Sequence, residues 1–231
     1  MRPALHDLRS PATAVALAAL LAACTDFATP AQLTEPLLIA VVVEPPVVAP
    51  GGTAQLTAIG AGPDGLLAVT APTWSLIETY PGYPPFGAVA ADGRYQAPAQ
   101  VPPLPDGALP IDSVQVEVDL AGRRQLAIKA VAVADLPAVN PAVTLTADGA
   151  AVTAPLQVSP GATVMLGTTV APEAPADQTR FAWYATVGTI EAYQSSPAAW
   201  VAPAEPGPGT IIVVVRAGAG TTVATATVQV Q

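Results

Sequence analysis

Apolar and polar residues alternate along much of this chain with a period of two. Val114, Val116, Val118 and Leu120 alternate with Gln115, Glu117 and Asp119, the pattern of a strand with one buried face. That run turns at Ala121-Gly122 and returns as Gln125 to Val133. Near the other end, Ile211 to Arg216 turns at Gly218-Ala219-Gly220 and returns as Thr221 to Val230. Shorter runs are punctuated by Pro-Gly and Asp-Gly pairs, which mark tight turns. Outside an apolar stretch at residues 12–23, no segment carries the stripe of an amphipathic helix. The chain is therefore expected to be all-β, with antiparallel sheets. Ile211 to Val215 is apolar at every position, which suits a strand buried between sheets or, alternatively, one that pairs with a partner's edge.

The pattern also repeats. Pro50-Gly51-Gly52-Thr53 opens the run Ala54 to Ala58, and is followed by Trp74, Gly87 and Tyr95-Gln96-Ala97-Pro98-Ala99. Pro160-Gly161-Ala162-Thr163 opens Val164 to Thr168, and is followed by Trp183, Gly188 and Trp200-Val201-Ala202-Pro203-Ala204. The spacing from the first glycine to the tryptophan is nearly equal in the two copies, and each copy ends in a hairpin. A repeat of short strands with a tryptophan in the middle predicts two β-sandwiches.

These residues resemble the bacterial immunoglobulin-like domains of cell-surface and periplasmic proteins, in the strand-borne Trp, the Gly before the next strand and the aromatic-x-Ala-Pro run. The resemblance implies two tandem immunoglobulin-like antiparallel β-sandwiches, without the paired cysteines of antibody-type domains. The expected division is a signal segment at 1–23, a flexible tether at 24–36, a first domain at 37–135, a short stiff linker at 136–141 and a second domain at 142–231. Trp74, Trp183, Tyr95 and Trp200 are expected in the cores.

Composition narrows the chemistry. Of 231 residues, 52% are hydrophobic but only 5% aromatic, so the cores must be built from small residues. The 27 prolines favour edges, turns and extended connections over helices. A net charge of -9 repels phosphate backbones and argues against nucleic acid. It likewise gives the folded part no attraction to an anionic membrane surface. The one histidine, His6, and the one cysteine, Cys24, both lie near the N-terminus. Ser75, Ser113, Ser159, Ser195 and Ser196 then have no histidine to activate them. Zinc, haem and iron–sulfur sites lack ligands, and no other cofactor is expected. Lys129, the single lysine, is expected on the solvent side of its strand. Asp64, Asp92, Asp106 and Asp148 each precede a glycine. Such pairs belong to tight turns, and no loop of calcium-binding spacing is present. A hydrolase using carboxylates is the remaining enzymatic reading, and it needs a deep cleft.

Two stretches point to function. Glu78-Thr79-Tyr80-Pro81-Gly82-Tyr83-Pro84-Pro85-Phe86 stands where the second copy has only a short connection. Tyr80, Tyr83 and Phe86 on a proline-stiffened insertion are a candidate surface for a protein or glycan partner. A proline-rich stretch, Val101 to Pro110, is expected to lengthen the same end or to form a loose connection. The other stretch is Leu21-Ala22-Ala23-Cys24, which follows an n-region with Arg2 and Arg9 and an apolar run too short to span a bilayer. It resembles the lipobox of bacterial lipoproteins. The resemblance implies signal cleavage after Leu21-Ala22-Ala23 and lipidation of Cys24, so that the protein is held on a membrane by its acyl chains. Thr25 rather than Asp follows the cysteine, which favours the outer membrane, on its periplasmic or surface face. The expected function is a non-catalytic binding, adhesion or spacer module of a bacterial cell envelope, or an accessory subunit of a secretion or surface assembly.

Overall fold

The computed structural model describes residues 31–104 and 108–231. The Leu21–Cys24 stretch and Asp106 lie outside the described residues. Strands β1 (Leu37–Glu44), β3 (Thr53–Gly62), β4 (Gly65–Ala68), β6 (Ala88–Val89) and β7 (Arg94–Gln96) form one sheet of the first half. Strands β2 (Val47–Val48), β5 (Thr73–Ile77), β8 (Ile111–Leu120) and β9 (Arg123–Val133) form the facing one. The second half repeats the plan. Strands β10 (Ala142–Ala147), β11 (Ala150–Ala151), β13 (Thr163–Ala171), β15 (Thr189–Glu191) and β16 (Ala198–Val201) pack against β12 (Leu156–Val158), β14 (Thr179–Ala185), β17 (Gly207–Ala217) and β18 (Gly220–Val230). The helical element among the described residues is a single 3₁₀ turn, Ala176–Gln178.

The strand order is that of an immunoglobulin-like sandwich, twice. One sheet runs β1-β3-β7-β6 and its counterpart β10-β13-β16-β15; the facing sheets run β2-β9-β8-β5 and β12-β18-β17-β14. In both, a short early strand crosses over to lie parallel to the last, as β2 does on β9 and β12 on β18. The other pairings between these strands are antiparallel. The Asp148-Gly149 turn between β10 and β11 has both residues at positive φ, +49° and +83°. That is the twist a two-residue hairpin requires.

Each sandwich closes on its own core. The tryptophans occupy equivalent places: Trp74 stands opposite Val116 and Trp183 opposite Val213, each on the strand that follows the first hairpin crossing. Tyr95 and Trp200 fill the facing sheet, and both are fully buried. The repeated glycine has a reason too. A Cβ at Gly87 would strike the Tyr95 ring, and one at Gly188 would fall 2.7 Å from the Trp200 indole nitrogen. The copies differ in one polar detail. Trp183 donates its indole N–H to the Ser195 carbonyl at 2.8 Å, whereas the buried Trp74 indole N–H has no partner among the described residues. Trp183→Phe should therefore cost about 1–2 kcal/mol more than Trp74→Phe, because only the former breaks a bond and the latter removes an orphaned donor. Denaturant unfolding of the two variants checks this, and equal losses would contradict it.

The two sandwiches are docked. Ile212 and Val214 of β17, fully buried, pack on Leu33, Ile39, Ala40 and Ala61 in a cluster separate from both cores. The uninterrupted apolar run at 211–215 is thus explained by two covers. Ile211, Val213 and Val215 face their own core, while Ile212 and Val214 face the first sandwich. Asn140, in the linker, fastens the joint from both sides. It donates to Val43 O at 2.7 Å and accepts from Thr221 N–H at 2.8 Å.

Lys129 departs from expectation. It shares the inner side of β9 with Ala127 and Val131, and its amine reaches Ala219 O (3.1 Å) and Thr221 Oγ1 (3.0 Å) across the junction. Burial, followed by the nearby Arg216 charge, lowers its pKa. The solvent side of that strand carries Leu126 and Ile128 instead.

The stretch expected to be a flexible tether also differs at its end. Ala31 and Leu33 are buried. Leu33 N–H donates to Ala185 O at 2.9 Å, and Ala185 N–H donates to Ala31 O at 2.8 Å, so the segment extends the sheet beside β14. It then passes to the first sandwich, where Gln125 Nε2 holds Pro36 O at 2.8 Å and Arg123 pairs with Glu35. Two apolar side chains with a covered site beneath them are enough to order it.

Candidate binding platform

The stretch between β5 and β6 is a structured protrusion. In Tyr80-Pro81-Gly82-Tyr83, Tyr83 N–H donates to Tyr80 O at 3.0 Å. Proline stands at the second position, and Gly82 at the third has φ +79°. This is the turn in which Pro pre-sets one dihedral and Gly alone accepts the next without strain. The Tyr80 hydroxyl then joins the other insertion: it accepts from Leu109 N–H and donates to Leu109 O, both at 3.1 Å. Thr79 Oγ1 donates to Ser113 Oγ at 3.0 Å.

Asp112 lies beneath, 1% exposed. Its carboxylate accepts from Phe86 N–H (3.1 Å), Gly87 N–H (2.7 Å) and the Tyr95 hydroxyl (2.7 Å). A buried carboxylate is tolerated when its oxygens are met in this way. Burial raises the Tyr95 pKa, helped by its bond to Asp112 and that group's charge. The second copy has no such carboxylate. Counted from the residues opposite the two tryptophans, Gly209 stands where Asp112 does, and the loop there is short. The Trp200 indole N–H instead finds Val187 O at 3.0 Å.

Of the three aromatics, Tyr83 is open at 40% exposure. Tyr80 is half-buried, and Phe86 packs against the first core. Phe86 therefore belongs to the base of the protrusion rather than to its outer surface. Leu109, 66% exposed, takes its place outside. Between the two insertions the free space is about 10 Å³, room for at most one water, so any contact must be made on the outer surface. Sequence reasoning missed Leu109 and Asp112. For Asp112 the signal existed: the alternation of β8 puts it on the same face as Val114 and Val116.

The other candidate groups are engaged structurally. Asp92 Oδ1 accepts from Arg94 N–H at 3.0 Å, as turn carboxylates do, and Asp148 Oδ1 accepts from Met165 N–H on the neighbouring strand β13 at 2.9 Å. Asp64 sits in the β3–β4 turn. Among the described residues no three of His, Cys, Asp or Glu converge.

No family model and no curated protein matches this chain. Among solved structures it is similar to the fibronectin(III)-like modules of Clostridium thermocellum CbhA, at 14% identity over 83% of this chain and 94% of that one, TM-score 0.32. It is also similar to the D00-D0 domain of intimin (13% identity, 83% and 100% covered, TM-score 0.29). A third similar structure is domains 4 and 5 of the S-layer protein SbsC (16% identity, 87% and 99% covered, TM-score 0.25). The likeness goes no further than the sandwich architecture.

Proposed function

We propose that this chain is a lipid-anchored protein of a bacterial cell envelope, acting as a non-catalytic binding module. The platform formed by Tyr80, Tyr83 and Leu109 recognises a protein or glycan partner. One observation carries the binding reading: the exposed loop is fastened from below by Asp112 and from the side by Leu109. A surface held in place before contact loses little conformational entropy on binding, and tyrosine offers large contact area with few rotatable bonds. The anchoring reading rests on Leu21-Ala22-Ala23-Cys24 and its resemblance to a lipobox. Lipid chains on Cys24 confine the platform to a surface and raise its effective concentration there.

Each part has its own test. Replacing Cys24 with Ala should move the protein from the detergent phase to the aqueous phase; unchanged partitioning refutes the anchor. For the platform, a photo-crosslinking amino acid is placed at Tyr83, with Glu117 on the outer sheet face as the control position. A discrete adduct formed from position 83 alone is expected, and Tyr80→Ala should weaken capture about tenfold, the loss of a contact worth ~1.4 kcal/mol. Identical products from both positions, or none from either, would sink the binding reading.

A further inference from the structure

The docked segment fixes where the chain leaves the folded body, and the platform lies at the other end of it. In the first sandwich, β8 starts beside the platform at Ile111 and Asp112 and ends at Leu120. Its ten residues span about 30 Å at ~3.3 Å per residue. At the Leu120 end, Arg123 pairs with Glu35 and Gln125 holds Pro36. There the β3–β4 turn also meets the second sandwich: a Cβ on Gly65 would lie 3.5 Å from Thr210 Oγ1. Thr210 O accepts from Thr186 N–H at 3.0 Å, next to Ala185, where Ala31 and Leu33 dock. Lys129 and Asn140 reach Ala219 and Thr221 farther down the joint. The two sandwiches therefore lie side by side with opposite senses. The exit and the platform occupy opposite poles.

Chain length turns this into an orientation. From Cys24 to Ala31 the backbone can extend at most about 24 Å. To stand inverted, with the platform pole on the bilayer, the protein would have to hold its exit pole about 30 Å above it, farther than the chain reaches. We infer that the anchored protein stands with Ala31 and the β3–β4 turn toward its membrane and the Tyr80–Tyr83–Leu109 platform away from it. The partner is then met in the aqueous space, about the length of a sandwich from the bilayer, and is not a headgroup of the anchoring membrane. This inference rests on the lipid-anchored reading above. The net charge of -9 acts in the same sense, because it opposes lying flat on an anionic surface.

A fluorescent amino acid at Asp64 or at Pro84, both exposed, tests it. The lipidated protein is reconstituted into phosphatidylcholine vesicles bearing a headgroup nitroxide. Quenching should be several-fold stronger at position 64 than at 84. Equal quenching, or stronger quenching at 84, overturns the orientation. Inserting about twenty Gly/Ser residues after Asp26 should abolish the difference, since the tether then exceeds the body; a difference that survives refutes chain length as its cause. Intact mass separates the two readings. A bare Cys24 would mean that anchoring has failed, and the same chain coupled through that thiol to a maleimide phospholipid would still report the orientation.

Discussion

Asp112→Ala is expected to lower the stability of the first sandwich by about 3–5 kcal/mol, because a buried charged acceptor is removed and its donors are left behind. Three bonds disappear together: those from Phe86 N–H, Gly87 N–H and the Tyr95 hydroxyl. The three donors lie under the protrusion, part-buried or buried, where water replaces the lost acceptor incompletely. Asp112→Asn keeps one acceptor and the shape, so it should cost about 1–2 kcal/mol. Denaturant unfolding measures both. The same variants report on the platform, because Asp112 is what holds residues 86 and 87 down. Amide exchange across 78–87 should quicken at least tenfold in Asp112→Ala, with the far hairpin of that sandwich, around Ala121-Gly122, less affected. A loss below about 1 kcal/mol, or an unchanged loop, would mean that the protrusion stands by its own turn.

The second large effect belongs to the junction. Val214→Asp places a carboxylate among Ile39, Ala40 and Ala61, two residues from Arg216, whose guanidinium already donates to Ile39 O at 3.4 Å. A charge buried in that apolar patch costs several kcal/mol, and the least costly relief is separation of the two sandwiches. Small-angle scattering should then show a larger radius of gyration while both sandwiches keep their strand content by circular dichroism. Val215→Asp, one residue along, points into the core of the second sandwich and should unfold it. A pair of adjacent substitutions with these two outcomes would verify that β17 is covered on both faces. If Val214→Asp left the dimensions unchanged, the docking would be refuted.

Strands and cores were legible because they rest on local rules. Period two, Pro-Gly turns and a tryptophan at the same place in each copy need no knowledge of the rest of the chain. The junction was not, because its signal is ambiguous. Ile212 and Val214 make the run at 211–215 apolar on both sides, and a sequence does not say whether the second cover is a sheet, a partner or the neighbouring sandwich. Lys129 misled for a related reason. A lone charge in an apolar strand reads as the exposed member, yet here the exposed members are Leu126 and Ile128 and the lysine bridges to carbonyl and hydroxyl oxygens across the joint. Ala31 and Leu33 carried no periodicity because only a few residues of that segment touch anything. The candidate loop was legible as an insertion with turn chemistry. The inward turn of Phe86 and the role of Leu109 depend on a second insertion more than twenty residues away, which no local pattern connects to it.

The strip at Ala31–Leu33 has a bearing on solubility. Strand β14 lies at the margin of its sheet, and an open margin is a template on which another chain can add. The strip satisfies the backbone at Ala185 and shields the apolar side chains of the joint at the same time. A fragment cut at the apparent start of the first sandwich, Leu37, would leave that margin bare beside a patch containing Ile212. Such a fragment would have the features of a self-associating protein, while one that keeps residue 31 would not. What reads as a mere leader to the fold is a guard against aggregation.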